Sequence, residues 1–92
     1  MRYEFKKTFD KSSKRFSKDE WQVIKKVVFD TIDFLASGKP PSQGYGLKHL
    51  RWDLWEVRVN IKYRIIFKFT DDLVQFIIVG NHEDILRFLK RY

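Results

Sequence analysis

The chain has 92 residues, 43% of them hydrophobic and 17% aromatic, with a formal net charge of +7 and no cysteine. This length suits one small domain whose modest core large aromatic side chains can fill. The composition excludes disulfide scaffolds and thiolate zinc fingers and suits a reducing compartment. No apolar run reaches the roughly 18 residues of a membrane span, and the opening MRYEFKKTF lacks the apolar core of a signal peptide. The expectation is a soluble, cytoplasmic protein without a membrane partner, whose surplus of cations favours polyanions.

Tyr3 and Phe5 alternate with Glu4 and Lys6, which predicts a short strand over Tyr3–Lys7. Thr8 is a candidate cap for a short helix over Phe9–Phe16. Ser17-Lys18-Asp19-Glu20 reads as a capping box, in which the serine hydroxyl and the glutamate each satisfy a helix-terminal N–H. A helix to about Ser37 follows: Trp21, Ile24, Val28, Ile32 and Leu35 recur every three or four residues on one face, and Val23, Val27, Phe29 and Phe34 widen it. Gly38, Pro40 and Pro41 end this helix, and Lys39–Gly46 reads as a loop. The two helices are close enough in sequence to form a hairpin.

Leu47–Leu50 can begin a strand, which Arg51-Trp52-Asp53 interrupts. Leu54–Phe69 then reads as a β-hairpin turning at Asn60-Ile61-Lys62. Side chains alternate across a strand, so Trp55, Val57, Val59, Tyr63, Ile65, Phe67 and Phe69 make one apolar face. Glu56, Arg58, Arg64 and Lys68 charge the other. After a turn at Thr70-Asp71-Asp72, Leu73–Val79 is apolar except for Gln75, as a central strand buried on both faces would be. Asn81 caps a terminal helix with Glu83 and Asp84 in its first turn and Ile85, Phe88, Leu89 and Tyr92 on its apolar side. The fold class is α+β: an N-terminal strand, a two-helix hairpin, an antiparallel three-stranded meander completing the sheet, and a short C-terminal helix, with helices covering one face. There is no glycine-rich phosphate loop, no metal-ligand cluster and no Ser–His–Asp pattern.

From Gly46 to Leu86 the chain carries Gly-Leu-Lys-His-Leu, Leu-Trp-Glu-Val-Arg-Val, Tyr-Arg-Ile-Ile-Phe and Val-Gly-Asn-His-Glu-Asp-Ile-Leu, in that order. This set resembles the RelE/ParE superfamily of toxin–antitoxin toxins over essentially the whole chain, and the spacing from Tyr63 to His82 is similar to that of the YafQ branch. The resemblance implies a RelE-like fold in one domain over residues 1–92. It also implies a ribosome-dependent endoribonuclease that cuts messenger RNA and inhibits translation. The implied partners are the ribosome, messenger RNA and a cognate antitoxin, with no cofactor, metal or small-molecule ligand. The alternative within the superfamily is a ParE-like inhibitor of DNA gyrase without nuclease activity.

RNA cleavage by the neighbouring 2′-hydroxyl needs a proton acceptor, cations for the developing phosphorane charge and an acid for the leaving 5′-oxygen. The resemblance makes Arg64 a phosphate contact, and an arginine fork suits phosphate oxygens. Arg58 lies across the turn on the same face. His82, at the start of the terminal helix, has a histidine's ability to exchange a proton near neutral pH, and Glu56 is a candidate base. Lys48, His49, Lys62 and Lys68 are candidate RNA contacts. The bland alternatives are a cross-strand ion pair for Glu56, a surface or capping role for His82 and simple exposure for His49. The chain departs from the toxins it resembles at three positions. Glu56 stands where RelE carries lysine, Lys62 replaces an acidic residue of the YafQ branch, and Leu86 replaces its terminal aromatic, for which Phe88 or Tyr92 can substitute by stacking on a base.

Overall fold

A strand with apolar residues at consecutive positions stays dry only if both of its faces are covered. Leu73–Asn81 meets that condition. The computed structural model describes residues 1–38 and 46–92, with β1 Arg2–Phe5, α1 Lys7–Ser13, α2 Lys18–Ser37, β2 Leu47–Arg51, β3 Leu54–Arg58, β4 Tyr63–Thr70, β5 Leu73–Asn81 and α3 His82–Arg91. The sheet order is β1-β5-β4-β3-β2. Strands β2 to β5 form an antiparallel meander, and the stretch from Leu47 is a full strand of it. β1 pairs parallel with β5, Arg2 against Leu73 through Phe5 against Phe76. Apart from Gly46, the loop expected over Lys39–Gly46 lies outside the described residues.

Two apolar clusters sandwich the sheet. On one face Ile24, Val28 and Ile32 of α2 and Phe9 of α1 pack on Val57, Ile65, Phe67, Val74, Phe76 and Val79. On the other, Ile85 of α3 packs on Leu54, Ile66 and Ile77, flanked by Leu50, Ile78, Phe88 and Leu89. The helices are therefore divided between the faces, not gathered on one. A bulge serves this division. β4–β5 pairing runs from Ile66 opposite Ile78 to Phe67 opposite Phe76, leaving Ile77 as the extra residue. Ile77 and Ile78 thereby both join the α3 cluster.

α2 starts at the capping box as expected, with Glu20 N–H donating to Ser17 Oγ (3.1 Å) and Ser17 N–H to Glu20 Oε1 (2.9 Å). It stops where Gly38, at φ 69°, enters the left-handed region that favours glycine and donates its N–H to Leu35 O. Val23 and Phe29, expected on the buried face, are exposed; the Phe29 ring meets Tyr3 of β1 edge-on. The short helix begins earlier than its sequence suggests and Thr8 does not cap it. β1 covers β5 only as far as Phe76, so α1 completes the edge. Lys6 N–H donates to Phe76 O (2.9 Å), the Thr8 hydroxyl to Ile77 O (2.5 Å), and Val79 N–H donates to Ser12 Oγ (3.1 Å). An uncovered strand edge is a template for aggregation, and that demand, not helix capping, takes the Thr8 hydroxyl.

α3 crosses its face diagonally. Its start follows directly from Asn81, which pairs with Tyr63 at one end of the sheet. Its last turn is tied to the opposite end, where Arg51 Nη2 donates to Leu89 O (2.8 Å) and the Arg51 guanidinium lies over the rings of Trp52 and Tyr92. No helix among the described residues is long and apolar enough to cross a membrane.

The face assignment has a direct test. Val57 is fully buried under α2, whereas its neighbour Arg58 is exposed on the other face. In urea denaturation Val57→Ala is expected to cost about 1–3 kcal/mol. Arg58→Ala should change stability by no more than about 0.5 kcal/mol.

Candidate nucleic-acid interface

The diagonal of α3 leaves one corner of its face open, at the turn end of β3 and β4. Register decides what stands there. Arg58 pairs directly with Arg64, and Glu56 pairs with Ile66 on β4 and with Lys48 on β2. Side chains of directly opposed residues share a face, so Arg58, Arg64, Glu56 and Lys48 come together. Arg64 Nη1 approaches Glu56 Oε2 at 3.5 Å, with only 25% of the arginine and 12% of the glutamate side chain exposed. On the far side Arg64 pairs with Gly80, which brings no side chain to compete for the space.

Like charges directly opposite each other on a sheet are destabilising. Glu56 offsets one of the two arginines, and Lys48 adds a further cation. The corner therefore carries an excess of positive charge in a fixed geometry, which a phosphate fits.

His82 is the first residue of α3, one position past Asn81, and so emerges at this same end of the sheet, exposed. Asn81 fixes the start of the helix. Its Oδ1 accepts from Asp84 N–H (2.9 Å) while Asp84 Oδ2 accepts from Asn81 N–H (3.0 Å). Leu86 lies one turn beyond His82 on the same edge of the helix. Phe88 and Tyr92 do not share that edge. Their rings pair with each other, Phe88 in the α3 core cluster and Tyr92 under Arg51.

Three expected contacts stand elsewhere. His49 pairs with Trp55, whose ring packs toward α2, so register carries His49 to the opposite face. Its ring lies 4.7 Å from that of Trp55, and Nε2 is 2.5 Å from Trp52 O. Lys68 is on the correct face but four residues along β4 from Arg64, about 13 Å at the strand rise. The Leu54–Ile66–Ile85 contact lies between them, and Lys68 pairs with Asp53 at 3.6 Å. Lys62 extends from the turn over the Tyr63 ring, beside a small recess it shares with Arg15, Phe16, Asn81 and Asp84. Asn60 Oδ1 shapes that turn by accepting from the N–H groups of Lys62 and Tyr63.

Sequence reasoning missed Arg15 and the full role of Asp84. Asp84 Oδ2 accepts from Arg15 Nη2 of the α1–α2 connection at 2.6 Å, and Oδ1 lies 3.4 Å from Arg87 Nη1. Gly80 makes this approach possible. A Cβ there would stand 2.7 Å from Asp84 Cβ and 2.9 Å from Arg15 Nη2. The junction holds the start of α3, and with it His82, against the strand position opposite Arg64. The sequence signal was an acidic residue in the first turn of the helix that Asn81 caps; nothing in the spacing points to Arg15, 69 residues away. Among the described residues no three His, Asp or Glu side chains cluster as metal ligands would.

No protein-family model matches the chain, and no curated protein matches its sequence. Solved structures match its shape. YafQ from E. coli is 20% identical with a TM-score of 0.69, over 92% of this chain and 98% of that one. The RelB–RelE antitoxin–toxin complex from Methanococcus jannaschii gives 20% identity and a TM-score of 0.69, over 91% and 95%. The toxin–antitoxin complex RelBE2 from Mycobacterium tuberculosis gives 15% and 0.65, over 88% and 96%. The chain has the fold of the RelE and YafQ toxins.

Asp84 makes a pH prediction. Burial, the largest single influence, pushes its carboxyl up; the bond from the Asn81 N–H and the guanidinium groups of Arg15 and Arg87 outweigh it and hold the carboxyl below the usual range. A carboxyl depressed on folding stabilises fully above its unfolded value of about 3.9 and loses that contribution as pH falls through its folded value. Asp84→Asn should therefore melt below wild type at neutral pH, with the gap closing as pH falls below about 4. Gly80→Ala, which displaces the same carboxylate, should reproduce the neutral-pH loss. Circular-dichroism melts across pH measure both.

Proposed function

We propose that this chain is the toxin of a type II toxin–antitoxin pair and cleaves messenger RNA on the ribosome. The observation that carries the reading is the pairing of Arg58 with Arg64 at the open corner, with Glu56 the one carboxylate paired there among the described residues. A fold that keeps two arginines side by side gives up stability for anion binding. The RelE/YafQ toxin fold, at high coverage of both chains, supports the same reading.

In the proposed reaction a 2′-hydroxyl oxygen attacks the adjacent phosphorus, its proton passing to Glu56. The bond from phosphorus to the 5′-oxygen breaks, and that oxygen takes a proton from His82. The products are a 2′,3′-cyclic phosphate and a 5′-hydroxyl end. Arg64 and Arg58 bind the non-bridging oxygens, whose charge grows in the transition state. Lys48 extends the track for the RNA backbone, while Lys62 lies over the Tyr63 ring, outside it. Lys68 and His49 stand too far away, or on the wrong face, to share it.

An acidic antitoxin completes the proposal. The structures similar to this chain include toxins solved with their antitoxins. The net charge of +7 speeds encounter with an acidic chain. A groove of 370 Å³ lined by Phe5, Trp21, Lys25, Val28 and Phe29 offers an antitoxin helix an apolar seat on the α2 side.

The gyrase-inhibitor reading draws on one observation, that Glu56 already approaches Arg64, as a static pair would. Primer extension after induction separates the two: new 5′ ends inside translated codons support cleavage, while intact messages with inhibited supercoiling by purified gyrase support the alternative. On the nuclease reading Arg64→Ala should lose about 10²–10³ in cleavage rate. His82→Ala should slow cleavage and remove one limb of its pH profile. Full toxicity of Arg64→Ala would refute the assignment.

A further inference from the structure

Two grooves flank α3. The one between α1 and α3, of 480 Å³, carries Lys11, Arg15, Arg87 and Arg91 above Ile78 and Phe88, with Asp84 its one carboxylate. The other, of 690 Å³, follows α3 from Glu83 past Arg87 to Lys90 and reaches Arg51, which donates to Leu89 O at the last turn. It begins one residue from His82 and runs about 10 Å at the helical rise. At its far end the Arg51 guanidinium lies over the Trp52 ring, 5.4 Å from its centroid.

Trp52 is not explained by packing. It is 73% exposed and belongs to neither core cluster. Its backbone nevertheless stands in the left-handed region, at φ 49°, where a bulky side chain is an outlier and glycine, asparagine or aspartate would suit the turn. The turn is held in place, with His49 Nε2 2.5 Å from Trp52 O and Asp53 paired with Lys68. With Arg51 over one face of the indole, so high an exposure leaves the other face open. An open indole face takes a flat π system, and nucleobases stack on such rings. Arg51, Arg87 and Lys90 outnumber Glu83 in the adjoining groove, which suits the phosphates on either side of a stacked base.

We infer that Trp52 is a stacking platform for one unpaired base of a single-stranded RNA whose backbone lies along this groove. The two parts together select the ligand. Phosphates alone have no use for the indole, an acidic peptide would leave its face bare, and a duplex has no free base to offer. Because the groove begins beside His82, a strand held at the Arg58–Arg64 corner can continue along α3 to Trp52. The inference rests on the proposed function for the class of ligand only; stacking requires no cleavage.

The test reads the fluorescence anisotropy of a labelled 2′-O-methyl oligoadenylate on the intact chain. Without a 2′-hydroxyl the strand cannot undergo the proposed reaction, so binding is read apart from chemistry. Trp52→Ala should weaken binding by about tenfold or more, as loss of a stacked base does, and Trp52→Phe, which restores a ring, should recover most of it. An abasic strand with the same number of phosphates should bind the wild-type protein about tenfold more weakly and should not discriminate Trp52→Ala from it. The fold effect of Trp52→Ala should persist in an Arg64→Ala background. In the wild-type protein the Trp52 indole N–H resonance should shift on titration with the oligoadenylate, a readout that needs no variant, while that of Trp21, packed against the core, should not. Equal affinity of Trp52→Ala and wild type, equal affinity of the two strands, a silent Trp52 resonance, or equally tight binding of a duplex or of a polyglutamate of the same charge would each overturn the inference. Primer extension without new 5′ ends would refute the nuclease reading and leave this binding result standing.

Discussion

The structure depends on one constraint: β5 along much of its length, and β4 at Ile66, carry apolar side chains on the face away from α2 as well, so a sheet with two helices on one side needs a third on the other. α3 meets that need with Ile85 on Leu54, Ile66 and Ile77. A helix of ten residues is about 15 Å long. It cannot cover a five-stranded sheet and, lying diagonally, leaves ground open on both sides. The arginine pair occupies one side and the α1–α3 groove the other. The shortness of the helix is what makes charged surface available beside a dry core.

The placement of α3 is held at both ends by polar contacts of different kinds. At its C-terminus Arg51 donates to a carbonyl of the last turn, where orphan acceptors and the helix dipole favour a cation. At its N-terminus Asp84 serves the capping box and receives Arg15. With 14% of its side chain exposed, Asp84 is better shielded from solvent screening than the surface pairs Arg2–Asp72 and Lys26–Asp30. Such a contact constrains geometry as well as adding stability. The α1–α2 connection, the end of β5 and the start of α3 meet at this one carboxylate, so the segment that carries His82 is fixed relative to the strand that carries Arg64.

The positive charge is organised, not merely abundant. Lys26, Arg2 and Lys68 have acidic partners and serve as ordinary surface. Arg58 and Arg64 oppose each other, and the cations of the groove outnumber the single carboxylate between them. The two arrangements differ in what accompanies the charge. The corner sets Glu56 beside it, while the α1–α3 groove sets it above partly exposed hydrocarbon.

Much was legible in the sequence because it is written locally. The capping box at Ser17, the cap at Asn81, the three-and-four spacing from Trp21 to Leu35 and the alternation over Leu54–Phe69 each lie within a few residues, and the physics of helix ends and strand faces reads them directly. The same alternation put Glu56, Arg58 and Arg64 on one face. Other features required contacts between residues far apart in the chain. Thr8 looked like a cap until β5 presented an unpaired carbonyl. His49 and Lys48 are adjacent in sequence, yet only the pairing of β2 with β3 sent one toward α2 and the other toward Glu56. Lys68 shares a face with Arg64, but the crossing of α3 between them became visible only once Ile85 was seated on Ile66. The parallel pairing of β1, the exposure of Phe29 and the bond from Arg15 to Asp84 belong to the same class. Periodicity records which side of an element is dry, whereas the identity of a partner across the core is set by how the elements pack, and no spacing within a single element encodes it.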